Sequence, residues 1–197
     1  AVLNNGWIFA ELSEDTGLIE LGEYLNPELR EVQEPKKISV RLDEGSNALL
    51  LSGPNMGGKT TTARSILQAV LFTKMGLSIP ASSGRIGKFH TVETVFPKPE
   101  QTQEGLGYFA LLVEQLAEIA RKACPGMLII LDEVPVGTDY EDLVAIGCVL
   151  IDKMVRQGAT VVVTGHLKEL LLRLAQAPGR QTLKHTVKEK EGRLEPD

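Results

Sequence analysis

A short apolar run, Leu49-Leu50-Leu51, passes through Ser52 into the glycine-rich turn Gly53-Pro54-Asn55-Met56-Gly57-Gly58 and straight on into Lys59-Thr60-Thr61-Thr62. Few folds join a buried strand to a helix through a bend with so little side chain. From Gly53 to Thr60 the spacing is G-x-x-x-x-G-K-T, the pattern of a phosphate-binding loop. Gly53, Gly57 and Gly58 have no Cβ and can take positive φ, so the backbone can curl around an anion and aim successive N–H groups at it. The helix expected over Thr61 to Met75 starts at the loop, and its free N–H groups face the same point. Lys59 is placed to reach the β- and γ-phosphates of a nucleotide triphosphate, the Thr60 hydroxyl to be a ligand of Mg²⁺, and Thr61 to be a further phosphate donor. The whole stretch from Gly53 to Thr61, with Pro54, Asn55 and Met56 at its tip, is the candidate nucleotide-binding segment. A glycine-rich turn that merely caps a helix is the alternative. The buried-strand run before it and the helical segment after it favour the nucleotide.

The rest of the chain supplies the strands and helices that such a loop needs. Gly6 to Leu12 and Leu18 to Leu21 flank the turn-rich Ser13-Glu14-Asp15-Thr16-Gly17, which predicts a β-hairpin, with Trp7 and Phe9 covering a core. Lys37 to Leu42 alternates as a half-buried strand, Asp43-Glu44-Gly45 turns, and Asn47 to Ser52 is the next strand. Leu77 to Ala81 reads as a short strand, Ser82 to Gly87 as a loop, Thr91 to Phe96 as a strand and Pro97 to Glu104 as a polar connection. Phe109, Leu112, Val113, Leu116, Ile119 and Ala120 recur at helical spacing and stop at Cys124-Pro125-Gly126. Met127 to Leu131 and Thr160 to Thr164 are continuous apolar or β-branched runs, of the kind buried on both faces of a parallel sheet. Between them, Leu143, Ile146, Leu150, Ile151 and Met154 mark a helix. Leu167 to Ala175 reads as helical, and the tail from Gln181 to Asp197 as a hairpin about Glu191-Gly192.

Two of these strands deliver polar residues where doubly wound sheets bind ligands. Met127 to Leu131 ends in Asp132-Glu133. A carboxylate there can help hold Mg²⁺ through the metal's water shell, and an acid one residue further on can polarise water for in-line attack on a γ-phosphate. Thr160 to Thr164 ends in Gly165-His166, and a histidine there can sense a γ-phosphate or position water. The candidate catalytic residues are therefore Lys59, Glu133 and His166, with Thr60 and Asp132 on the metal. The alternatives are two acids that only cap a strand and a surface loop histidine.

With 197 residues, 43% of them hydrophobic and 24% charged, the chain suits one soluble α/β domain. Its net charge of −5 argues against a large basic surface, so strong DNA binding by these residues alone is not expected. Cys124 and Cys148 match no metal spacing and read as free thiols in a cytoplasmic protein. No apolar stretch approaches the ~20 residues of a membrane span and no signal-peptide pattern is present, so no membrane partner is expected. The opening on Ala1-Val2-Leu3, without an initiator Met, points to processing or to an excised domain.

Ser52 to Thr61 resembles the T-G-P-N-M-G-G-K-[ST] loop of the MutS family of DNA mismatch-repair and recombination ATPases. The segment from Asp132 to Asp139 is similar to that family's D-E-x-x-x-G-T-[SD]. Thr164 to Leu170 is similar to its T-T-H-x-x-E-L switch, and Asp139 is closer to the second-type MutS branch. The resemblance runs from Leu25-Asn26-Pro27, where the family often has His-Pro, to the Glu195-Pro196 tail. It implies a P-loop NTPase of ABC type, with a mainly parallel central sheet flanked by helices and a small antiparallel β element over residues 1–46, ahead of the P-loop core and tail at 47–197. It further implies ATP and Mg²⁺ as ligands, Asn55 as a phosphate or water contact, Asp139 in a loop crossing a dimer, and a homodimer that sandwiches ATP. DNA would be met by regions of the parent protein outside this chain. The family's signature Ser-Thr-Phe is matched here by Gly107-Tyr108-Phe109, no aromatic stands near Lys36, and Pro135-Val136 replaces Gly-Arg or Gly-Ala.

The expected function is Mg-dependent ATP hydrolysis coupled to dimerisation and to mismatch repair or recombination control by the parent protein. The alternatives are a nucleotide-binding switch with little or no turnover and a small-molecule P-loop kinase. A transporter motor is disfavoured, since Leu-Ser-Gly-Gly-Gln is missing.

Overall fold

A computed structural model of the chain describes residues 6–29, 35–53, 57–96, 105–132, 140–165, 180–184, 187–190 and 193–196. Its centre is a five-stranded, all-parallel sheet built from β4 (Ala48–Ser52), β6 (Thr91–Val95), β7 (Met127–Leu131), β8 (Thr160–Thr164) and β9 (Arg180–Lys184), in the order β6-β7-β8-β4-β9. A four-stranded sheet is made of β1 (Glu11–Thr16), β2 (Ile19–Tyr24), β3 (Ile38–Leu42) and β5 (Ser83–Lys88). The helices are α1 (Lys59–Lys74), α2 (Gly105–Lys122) and α3 (Tyr140–Arg156).

Alternation of side chains along the three inner strands divides the core in two. Ala48, Leu50, Met127, Ile129, Leu131, Val161 and Val163 face one side and pack with α2 and α3 through Leu112, Leu116, Ile119, Ile151 and Met154. Leu49, Leu51, Leu128, Ile130 and Val162 face the other and pack with Ala63, Ile66 and Val70 of α1 and with Ile19, Leu21, Tyr24, Val40, Leu42 and Ile86 of the four-stranded sheet. Both faces are thereby covered, which is why β4, β7 and β8 carry no alternating polar residues.

Five expectations are corrected. The strands β1 and β2 do not pair as a hairpin, because β5 lies between them, parallel to β1 and antiparallel to β2. The stretch 82–87, read as a loop, is therefore mostly strand. Its Ser-Gly-Arg-Ile-Gly composition is poor in β-formers, and two flanking strands supply the missing preference. Gly87 is required where β5 meets the turn between β1 and β2, since a Cβ there would drive into the Asp15 carbonyl and approach the Leu18 amide to 3.0 Å. Leu77 to Ala81 forms no strand, only a single bridge between Ile79 and Ile8. Phe9 is 66% exposed and does not cover the core. In the tail, Val187–Lys190 (β10) and Arg193–Pro196 (β11) do form an antiparallel ribbon, but the preceding Arg180–Lys184 leaves it to join the central sheet beside β4. Cys124 and Cys148 are in no disulfide and lie half-buried against the core. Among the described residues no helix is long and apolar enough to cross a membrane.

Candidate functional site

The parallel sheet brings the C-terminal ends of β4, β7 and β8 side by side, with β8 in the middle. Pairing in register sets Leu51 against Thr164 and Leu131 against Val163. The residues that follow these strands, Gly53, Asp132 and Gly165, are therefore gathered at one edge although they are far apart in the chain. The amide of Asp132 is fixed by the Val95 carbonyl at 2.8 Å, and that of Gly165 points to the Leu51 carbonyl at 3.4 Å.

From β4 the chain leaves through Gly53 at φ 154° and re-enters at Gly57 and Gly58, the latter at φ 85°. Gly58 is the N-cap of α1 and offers no side-chain cap to the first turn, so that turn's N–H groups are left for the loop or a ligand. Lys59, 3% exposed, folds back to donate from Nζ to the Gly53 carbonyl at 2.8 Å. Thr60 donates from Oγ1 to Oδ1 of Asp132 at 3.0 Å. Asp132 is itself 3% exposed and accepts on the same Oδ1 from the hydroxyl of Thr164, which is fully buried. Thr61 sits in the first turn of α1 and gives its carbonyl to Ser65 Oγ at 2.7 Å.

Of the residues expected at the site, Gly53, Gly57, Gly58, Lys59, Thr60, Thr61 and Asp132 are thus brought together. Pro54, Asn55, Met56, Glu133, His166 and Asp139 lie outside the described residues. Gly107 and Tyr108 fall in the first turn of α2, and the backbone alone is described there. The pairing of Thr60 with Asp132 offers two hard oxygen donors within hydrogen-bond reach, which suits magnesium. No group of three or more His, Cys, Asp or Glu among the described residues could hold a metal alone. A magnesium ion bound there would take its other ligands from water and phosphate, which is this ion's habit.

Sequence reasoning left two supports unassigned. Thr164 ends a strand of valines, and a hydroxyl closing such a run at the ligand edge is the signal that could have exposed it. Asn26, 1% exposed, donates from Nδ2 to Ser65 Oγ at 3.1 Å and caps the following single 3-10 turn by accepting the Glu28 amide at 2.9 Å. A bond from Gln68 Nε2 to Glu28 Oε1 at 2.9 Å holds the same turn to α1. Asn26-Pro27 reads as mere punctuation in the sequence, and only its burial against α1 reveals the brace.

The sequence profile of the family described as MutS domain V matches residues 49–195, which include the loop, Asp132 and every strand of the parallel sheet but the first residue of β4. The chain belongs to the MutS domain V family. Proteins named Endonuclease MutS2 are similar to it. That of Anaeromyxobacter sp. (strain Fw109-5) is 34% identical over 132 residues, covering 66% of this chain and 16% of the relative. That of Clostridium botulinum (strain Loch Maree / Type A3) is 31% identical over 157 residues, covering 79% and 20%. The Thermus thermophilus protein is 33% identical over 147 residues, covering 75% and 19%. This MutS domain V chain spans a fifth or less of the length of these curated relatives.

Proposed function

We propose that this MutS domain V binds Mg-ATP in the loop from Gly53 to Thr61 and hydrolyses it, within an ABC-type P-loop fold whose two copies close over the nucleotide. The observation that carries this reading is the joining of Lys59, Thr60 and Asp132 at one sheet edge, with the ammonium on the Gly53 carbonyl and the Thr60 hydroxyl on the Asp132 carboxylate, beside a helix N-terminus to which Gly58 gives no side-chain cap. Magnesium, when bound, would neutralise phosphate charge. Lys59 would exchange the Gly53 carbonyl for phosphate oxygens, a gain because a charged acceptor makes the stronger bond. Thr60 and Asp132 would hold the metal, Glu133 would take a proton from the attacking water, and His166 would face the γ-phosphate. Pro54, Asn55, Met56, Gly57, Gly58 and Thr61 would line the phosphate chain.

In the parent protein, turnover would be coupled to dimerisation and to mismatch repair or recombination control, in the cytoplasm and as the second-type MutS branch. DNA would be contacted mainly by regions outside these residues, in keeping with the net charge of −5. A second reading, a nucleotide switch with little turnover, is favoured by one departure, Gly107-Tyr108 in place of the family's Ser-Thr at the start of α2.

Titration calorimetry with Mg-ATP tests the binding. Saturable heat is expected from the unaltered chain and none from Lys59→Ala; equal curves would end the proposal. Glu133→Gln is expected to bind Mg-ATP and release no phosphate. If the unaltered chain also releases none at dimerising concentration, the switch reading stands.

A further inference from the structure

Among the described residues, β8 is a strand whose interior could have been valine throughout, yet it closes on Thr164, which is completely buried. A hydroxyl in such a place is unfavourable by about 1–3 kcal/mol unless it is bonded. Here its acceptor is Oδ1 of Asp132, on the neighbouring strand end, and Thr60, in the first turn of α1, donates to that same oxygen at 3.0 Å. The order β7-β8-β4 puts Thr164 between the strand that carries the carboxylate and the strand that carries the loop. Two hydroxyls on one oxygen restrain rotation of the carboxylate and leave Oδ2 as the oxygen to which neither donates.

We propose that Thr164 is a positioning residue, whose hydroxyl orients the Asp132 carboxylate for magnesium and ties the metal side of the site to the strand end leading into Gly165-His166. The inference rests on the nucleotide reading above and adds a regulatory element to it. Magnesium is held through a carboxylate and water, so its affinity depends on how firmly that carboxylate is aimed. Outer partners of metal-holding groups typically contribute 10–100-fold. A change in metal occupancy that moves Asp132 is felt by Thr60 and Thr164, whose hydroxyls share its Oδ1, and through Thr164 by Gly165 just past the end of β8.

The test uses the whole chain and equilibrium binding of a fluorescent ATP analogue, followed by anisotropy in EDTA and across a magnesium titration. Thr164→Val keeps the volume and the β-branch but removes the hydroxyl. It is expected to raise the magnesium half-saturation about tenfold while leaving magnesium-free binding within about twofold. Thr164→Ser should behave like the parent, and Thr164→Val should add nothing in an Asp132→Asn background. Thr164→Ala gives the same comparison if the valine variant folds poorly. An unchanged magnesium midpoint, or equal losses with and without the metal, overturns the assignment and leaves nucleotide binding standing. Failure of the unaltered chain to bind the analogue removes the nucleotide reading and this inference with it.

Discussion

Gly58→Ala separates what the loop needs for folding from what it needs for a ligand. Gly58 stands at φ 85°, where an L side chain is strained, but an added Cβ would meet no described heavy atom within 4 Å. The strain is about 1–2 kcal/mol, and the stiffer unfolded chain gives back about 0.4–1 kcal/mol. The net loss is about 1 kcal/mol, or roughly 2–4 °C in Tm for a domain of this size. Binding should suffer far more, because the methyl stands at the uncapped helix N-terminus that phosphate would approach. Losing one or two charge-assisted hydrogen bonds at about 1.5–3 kcal/mol each weakens Mg-ATP by on the order of 100-fold. Gly87→Ala is the converse control. There the Cβ collides with backbone, the Asp15 carbonyl and the Leu18 amide, so a loss beyond about 3 kcal/mol is expected, with the affinity of the folded fraction unchanged. Urea melts and calorimetry on both variants decide the matter. A Gly58→Ala protein that melts more than about 8 °C lower, or one that binds Mg-ATP like the parent, would refute the reasoning.

The brace between Asn26 and α1 should show in Ser65→Ala, which removes the bonds to Asn26 and to the Thr61 carbonyl; urea melts should register a loss of about 1–3 kcal/mol. Tyr24 is fully buried, and burial first, with Glu28 second, raises its phenol above the ordinary 10.0. The folded state thus holds the proton that the unfolded chain gives up, so this contribution to stability is complete below pH 10 and falls away as pH rises further. Denaturant midpoints between neutral pH and pH ~11 should decline, and Tyr24→Phe should flatten the part of that decline due to the phenol; a parent curve without slope above pH ~10 would contradict the assignment.

Runs such as Met127 to Leu131 and Thr160 to Thr164 can be read directly because both of their faces are buried, so tertiary context reinforces the local preference. The turn from β4 into α1 can be read because its glycines permit the bend, with Gly53 at φ 154° and Gly58 at φ 85°. Ser82 to Gly87 and the apparent hairpin at Gly6 to Leu21 mislead for the opposite reason. Their pairing is decided by a strand arriving from beyond α1, about which sequence neighbours carry no information. Phe9 reads as core by its period of two, yet its neighbours Ile8 and Ala10 are the ones that pack against the core, and Phe9 lies on the opposite, solvent-facing side.

The sequence by itself placed a lysine and a threonine after a glycine turn and a carboxylate after an apolar strand. These are covalent neighbours of strand ends, and strand ends follow from local pattern. Only the tertiary structure decided that β8 lies between β7 and β4 and that Thr60 and Thr164 share one oxygen of Asp132. Strand order is a consequence of how helices cover two faces of a sheet at once, and no residue records it alone.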